Sequence, residues 1–342
     1  MKPIGVIGAG SFGTAIADLL SKNSDVLLFS RRQEVIDAVN NGKVHYDVQF
    51  NRRVRAVGDL KEIADSCDLI LPIIPSSAFR RTIVAIAPYL RPYHFIIHGT
   101  KGFDTQNILE SDFVKGLSRL NVHTMSEVIL QETSVVRIGC LAGPNLAKEI
   151  VQGQPTASVI SSPFQEVFTL GKKVLDSERF HVFYNNDIIG TETAGALKNI
   201  IALGSGIISG MGMGKNLQAM LITRGLVEMI TFGKALGAGN EAFLGTAGIG
   251  DLIATATSSD SRNYSVGFRI AKGESVEQIN ASMVETAEGL RTLKIARQLA
   301  RHYKLKVPIT EIIYKVIYEG MDPRKALEYL ITFPYDVDVD FI

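Results

Sequence analysis

The chain has 342 residues, 46% of them hydrophobic and 21% charged, with a formal net charge of +1. The length suggests two domains and the composition ample cores, while the balanced charge gives no footprint for nucleic acid or an anionic membrane surface. The two cysteines, Cys67 and Cys140, and the lack of a signal-peptide pattern point to reduced thiols in the cytoplasm. The six histidines are scattered without paired ligand spacing, so no metal is expected. The apolar stretch from Ile200 to Gly214 is broken by glycines and too short to insert into a membrane.

The chain opens with an apolar run, Ile4 to Ile7, then Gly8, Gly10 and Gly13 in a G-x-G-x-x-G pattern, then a helical pattern from Thr14 to Leu20. Strand, tight turn and helix in that order read as a dinucleotide site rather than a plain glycine turn. Gly8 permits the turn, Gly10 lets a pyrophosphate approach the backbone, and Gly13 lets helix pack on strand. Free N–H groups at the helix start favour the phosphates. Further strands are expected at Val26–Phe29, Leu69–Ile74, His94–His98, Arg137–Ala142 and Thr156–Ile160. Helical patterns lie at Gln33–Asn40, Ser77–Ala87 and Pro163–Leu175. The alternation predicts a doubly wound, mainly parallel sheet, a Rossmann fold, whose ligands sit beyond the strand C-termini. From Asp187 the pattern becomes helical, at Thr191–Ile208, Asn216–Leu236, Val276–Met283, Gly289–Tyr303 and Ile309–Glu319. Pro308 or Thr310 can open the last and Gly320 closes it. The expected domains are therefore 1–189 and an all-helical 190–342, with a cleft between them. The tail Asp336-Val-Asp-Val-Asp-Phe-Ile reads as a loose acidic end.

The second strand ends in Ser30-Arg31-Arg32, where NAD-binding sheets carry an acidic residue. Arginines can pair with a 2′-phosphate or simply solvate a loop; the missing carboxylate favours NADP(H) over NAD(H) as the tighter ligand. Lys101, in Gly99-Thr100-Lys101-Gly102, follows a strand as either a ligand contact or a surface lysine. His98 beside it is a ligand contact or a satisfied buried histidine. Gly143-Pro144-Asn145 ends another strand, either to hold an anion or a nicotinamide amide, or as a plain turn. Lys198 interrupts an otherwise small and apolar helix, with Asn199 beside it. Its ammonium must find a partner, a ligand or water, and desolvation would make it a ready proton donor. Asp251 and Thr255 are four apart and share a helix face, although Asp251 alone also suits a helix cap. Ser261-Arg262-Asn263 suits a phosphate or an ordinary polar loop.

Together these segments resemble the NAD(P)-dependent glycerol-3-phosphate dehydrogenase family, bacterial biosynthetic type. The resemblance runs nearly end to end: GAGSFGTA, TKG, AGPNLAKE, GALKNIIALGSGI, LITRGLVEM, GIGDLIAT, SRN, AEGLRT and PITEIIY. It implies a Rossmann domain with a helical second domain of the 6-phosphogluconate dehydrogenase-like type. It implies reversible reduction of dihydroxyacetone phosphate to sn-glycerol 3-phosphate for glycerophospholipid synthesis, using NADPH or NADH, in a homodimer. Lys198 matches the catalytic lysine. Ser11, Phe12, Arg31, Arg32, Lys101, Ala147, Arg262 and Glu288 match cofactor contacts beside the three glycines. Lys101, Gly143, Asn145, Lys198, Asp251, Ser261, Arg262 and Asn263 match substrate contacts. Position 145 departs from the usual Ser or Thr, and the acidic tail has no counterpart. Two competing readings are a β-hydroxyacid or ketopantoate-type reductase, which the Arg262 region disfavours, and a catalytically silent NADP(H) sensor.

Overall fold

The computed structural model describes residues 2–333 except positions 107, 109 and 284; the acidic tail lies outside the described residues. The chain divides into two units, Met1–Asp104 with Thr124–Ile188, and Thr105–His123 with Ile189–Ile342. Besides the crossing at 188–189, Thr105–His123 groups with the second unit and the chain returns to the first at Thr124.

The first unit is built on an eight-stranded sheet: β1 Ile4–Ile7, β2 Val26–Phe29, β3 Val54–Val57, β4 Leu69–Pro72, β5 Phe95–His98, β6 Arg137–Ala142, β7 Thr156–Ser161 and β8 Phe180–Asn185. Their order is β3-β2-β1-β4-β5-β6-β7-β8. All neighbours are parallel except β6 and β7, which run antiparallel. The expected doubly wound architecture is present, with two strands beyond those predicted. β3 is four residues long with exposed Arg55 inside it, and β8 is an edge strand whose alternation buries only Phe180 and Val182. Helices α1 Ser11–Ser21, α2 Gln33–Asn40, α3 Leu60–Ser66, α4 Ser76–Ile86, α5 Met125–Glu132, α6 Ala147–Val151 and α7 Gln165–Leu175 connect them. Successive strand residues feed two separate cores. Ile4, Val6, Val26 and Leu28 lie in one, and Ile7, Leu27 and Phe29 in the other. A sheet apolar on both faces must be covered on both, which is why the strands read as continuous hydrophobic runs. Arg80 of α4 is buried against Asp104, Glu132 and Gln131, and ties the end of the β5 loop to α5.

The second unit is helical: α8 Ile188–Gly210, α9 Lys215–Leu236, α10 Glu241–Leu244, α11 Asp251–Thr257, α12 Arg262–Ala271, α13 Val276–Ser282, α14 Glu288–Tyr303, α15 Pro308–Tyr318 and α16 Pro323–Thr332. Almost every residue of α8 is buried. It meets α12 backbone to backbone: a Cβ on Gly206 would lie 2.0 Å from the Tyr264 carbonyl oxygen, and one on Gly267 1.9 Å from that of Leu203. Only glycine permits this approach. Residues 105–123 join this unit through α14, where Lys294 donates to Glu110 at 2.7 Å and the Arg119 N–H to the Tyr303 hydroxyl at 3.0 Å.

Pro308 opens α15, as its position predicted, but the cap comes from far away. Fully buried Glu228 of α9 accepts from the Ile309 and Thr310 N–H groups and from the Thr310 hydroxyl. Burial pushes its carboxyl up to about 7, against the lowering effect of these donors. A folded pKa above the unfolded 4.5 means the folded protein prefers the protonated form. This group's stability is therefore full below about pH 4.5 and is lost as pH rises through 7. The loss amounts to about 3 kcal/mol. Glu228→Gln removes that dependence, so the wild-type advantage in urea unfolding should shrink between pH 5 and pH 8. Parallel pH curves for the two proteins would show that Glu228 does not titrate in this range.

Candidate active site

In the first unit the predicted residues gather at the C-terminal ends of the strands. Gly8 has φ +119°, and a Cβ there would lie 2.2 Å from the Ile73 carbonyl oxygen. A Cβ on Gly13 would lie 1.9 Å from the Gly8 oxygen. Gly10 is the N-cap of α1 and offers no side chain, so no side-chain cap satisfies the helix start. Open N–H groups, a dipole and a turn with no room for side chains fit a dinucleotide pyrophosphate. Ser11 and Phe12 are the first residues of α1. The Phe12 ring would lie 3.0 Å from a Cβ on Gly99, so Gly99 makes room for it beyond β5. His45, which sequence reasoning did not single out, places Nε2 2.9 Å from the Ala9 carbonyl oxygen. A carbonyl only accepts, so the proton sits on Nε2. Its contact with the glycine turn spans 36 residues and leaves no local signal.

After β2, Ser30 is buried and its hydroxyl accepts from the Arg32 N–H at 3.2 Å. Arg31 and Arg32 are exposed, and Arg32 pairs loosely with Glu34 at 3.8 Å. Lys101 Nζ donates to the Gly143 carbonyl at 2.9 Å, which brings two of the predicted residues together. Asn145 Nδ2 donates to Ser158 Oγ, which in turn donates to the Ala142 carbonyl. The serine has one proton and spends it on Ala142, so the Asn145 amide must present its NH₂ there and its Oδ1 on the other side. That Oδ1 is buried with no hydrogen-bond partner among the described residues. Ala147 is the first residue of α6. His98 is buried at the end of β5, its ring 5.7 Å edge-on to that of Phe79.

In the second unit Lys198 is 4% exposed and Asp251 1%. Lys198 Nζ donates to Asp251 Oδ1 at 2.6 Å and to the Thr255 hydroxyl, which donates on to Asp251 Oδ1 at 3.2 Å. Snorkelling to the surface is thereby ruled out. The alternative of a capping Asp251 also fails: Gly250 holds the cap position and Asp251 stands inside α11, after a π-helical turn over Thr246–Gly250. Such π-helical turns recur at functional sites. A buried ion pair of this kind is costly to desolvate and needs its hydrogen bonds to persist.

Ser261 caps α12, its hydroxyl accepting from the Tyr264 N–H. Arg262 is 47% exposed, paired with Glu285 at 2.9 Å and donating to the Thr286 carbonyl. Asn263 is buried and donates to Asn199 Oδ1 at 2.8 Å while accepting from the Gly289 N–H at 2.8 Å. It thus joins the start of α12, the start of α14 at Glu288 and the helix turn that carries Lys198. Asn199 appears in the sequence only as a neighbour of Lys198; its role in this clasp needs a partner 64 residues away.

Residues 3–168 match the family model described as NAD-dependent glycerol-3-phosphate dehydrogenase N-terminus, and residues 187–328 the corresponding C-terminus. A glycerol-3-phosphate dehydrogenase (NAD(P)+) from Carboxydothermus hydrogenoformans is 36% identical over 341 residues, covering 98% of each chain. The crystal structure of a glycerol-3-phosphate dehydrogenase from Coxiella burnetii superposes with a TM-score of 0.87 at 30% identity, over 97% of this chain and 99% of that one. A ketopantoate reductase from Ralstonia eutropha gives a TM-score of 0.58 at 13% identity over 95% and 99%, a likeness of fold alone.

Gly13→Ala tests the glycine cradle. The added methyl must displace the Gly8 carbonyl, so NADPH affinity in a fluorescence titration should fall about 30-fold, equivalent to about 2 kcal/mol. Unchanged affinity would separate the turn from cofactor binding.

Proposed function

We propose that this chain, which belongs to the NAD-dependent glycerol-3-phosphate dehydrogenase family, reduces dihydroxyacetone phosphate to sn-glycerol 3-phosphate with NADPH or NADH and thereby supplies glycerophospholipid synthesis. The observation that carries the chemistry is the buried Lys198 ammonium held by Asp251 and Thr255. A bound reduced nicotinamide supplies a hydride to C2 of the ketone. The C2 oxygen then gains negative charge, and Lys198 stabilises it and delivers the proton that completes the alcohol. In the oxidative direction the neutral amine takes that proton back. Asp251 and Thr255 act as positioning residues that fix the ammonium. Arg262 is the cation we assign to the substrate phosphate, with its present partner Glu285 exchanged for that ligand. Lys101, Gly143 and Asn145 are assigned to ligand contacts at the strand ends, and Glu288 to the cofactor.

The competing keto-acid reductase shares the fold, but full-length sequence identity lies with the glycerol-3-phosphate dehydrogenases. An ammonium built into a carboxylate–hydroxyl cradle also disfavours a silent sensor. Among the described residues no helix is long and apolar enough to cross a membrane. Cys67 and Cys140 are buried outside any disulfide, and burial pushes the Cys67 thiol up to about 12. Thiols of this kind support a cytoplasmic location. A homodimer belongs to the same reading and is tested by sedimentation.

The deciding assay is NADPH oxidation with dihydroxyacetone phosphate against ketopantoate and β-keto acids. Turnover confined to the keto acids would sink the proposal. Lys198→Ala should lose turnover by a factor on the order of 10³ while NADPH still binds; full activity would remove Lys198 from the mechanism. Arg31→Asp combined with Arg32→Ala should shift the kcat/KM preference towards NADH by about tenfold or more, since two cations facing a 2′-phosphate are lost. No shift would mean that these arginines only solvate the loop after β2.

A further inference from the structure

The glycine turn assigned to the dinucleotide contains a peptide plane that its own residues restrain weakly. Ala9 stands between Gly8, at φ +119°, and Gly10, at φ −82° and ψ −176°. A peptide plane turns over through the ψ before it and the φ after it, and a glycine after it removes the Cβ clash that resists the change. The two orientations of the Ala9–Gly10 peptide are opposite in polarity. Across a trans peptide the carbonyl and the N–H point in opposite directions, so the side that shows an N–H in one orientation shows an oxygen in the other. Towards a pyrophosphate the first attracts and the second repels.

His45 fixes the orientation. Its Nε2–H donates to the Ala9 oxygen at 2.9 Å, which holds that oxygen on the imidazole side and aims the Gly10 N–H the other way. A tight turn presents the ring. His45 and Val48 exchange both backbone hydrogen bonds, at 2.9 and 3.0 Å, around Tyr46 at φ +47° and Asp47 at φ +62°. Two successive positive φ values suit a type I′ turn, whose usual occupants are glycine, asparagine and aspartate; a tyrosine there is strained. The Tyr46 ring packs edge-on against the imidazole, centroids 4.7 Å apart. Val48 anchors the turn in the core that also holds Ala9 and Ile16. The chain thus tolerates a strained turn that brings one N–H donor to one carbonyl of the cofactor loop.

We propose that His45 is a positioning residue for the dinucleotide: it locks the Ala9–Gly10 peptide with its carbonyl turned from the pyrophosphate, so that the turn is set before the anion arrives. This rests on the glycine turn holding the pyrophosphate. Calorimetric titration with NADPH and with adenosine 2′-monophosphate tests it, since the second ligand keeps the adenosine and the 2′-phosphate but lacks the pyrophosphate. His45→Ala has no donor, and the amide of His45→Asn ends short of the Nε2 position. Both should bind NADPH about tenfold more weakly than the wild type, with adenosine 2′-monophosphate changed less than about twofold. His45→Gln, whose terminal amide reaches about as far as Nε2, should restore NADPH affinity to within about threefold. The ring is only half-buried, so these changes empty no core. Unchanged NADPH affinity in His45→Ala and His45→Asn would overturn the proposal. So would equal losses for both ligands, which would make His45 a brace of the whole loop, or a loss that His45→Gln does not restore. Gly13→Ala is titrated alongside. If it weakens NADPH and the His45 variants do not, the role of His45 alone falls; if none of them does, the assignment of the turn to the pyrophosphate falls with it.

Discussion

A cation buried in the middle of an almost wholly buried helix constrains everything around it. Lys198 has access to little water, so the charge is tolerable only with a carboxylate and a hydroxyl in fixed positions. Asp251 and Thr255 must therefore present themselves one helical turn apart on a neighbouring helix. A π-helical turn leads directly into α11, whose first residue is Asp251. α8 in turn must admit its neighbours closely, which explains its run of alanine, glycine, leucine and isoleucine. The glycines are thus part of the same requirement as the lysine.

The sheet unit follows a different rule. The features we assign to ligand contact there are chiefly backbone features: a helix start with no side-chain cap, a glycine turn with no room for side chains, and carbonyls at strand ends. Such a site is robust to most side-chain changes and sensitive to a single added methyl. The exposed groups after β2, to which we assign selectivity between phosphorylated and unphosphorylated dinucleotides, can change at little structural cost.

Much of this was legible in the sequence because it is local. The glycine spacing, the strand–helix alternation, and the four-residue spacing of Asp251 and Thr255 lie within short windows. α5 was also legible in principle, through the Thr124–Glu127 capping box. What escaped depends on distant pairing. Glu228 caps α15 across 81 and 82 residues, His45 meets the glycine turn across 36, and Asn263 reaches Asn199 across 64. Each of these side chains looks unremarkable beside its sequence neighbours. The excursion at 105–123 escaped for the same reason, since its partner α14 lies far along the chain. β3 and β8 escaped because an edge strand need not be hydrophobic throughout.

The contact of α8 with α12 has a consequence for how such a chain could change its substrate. Lys198 and Arg262 stand on two helices whose backbones touch and whose side chains are clasped by Asn199 and Asn263. If Lys198 is the proton donor and Arg262 the phosphate cation, as proposed, the spacing of their helices is a ruler calibrated by main chain. A longer or shorter phosphorylated substrate could then be met only within the reach of the half-exposed Arg262 side chain. Beyond that reach it would require the two helices to slide against their close glycine contacts. Divergence of chain-length specificity on this scaffold should therefore come in jumps, with new helix pairings, instead of through gradual drift at the site itself.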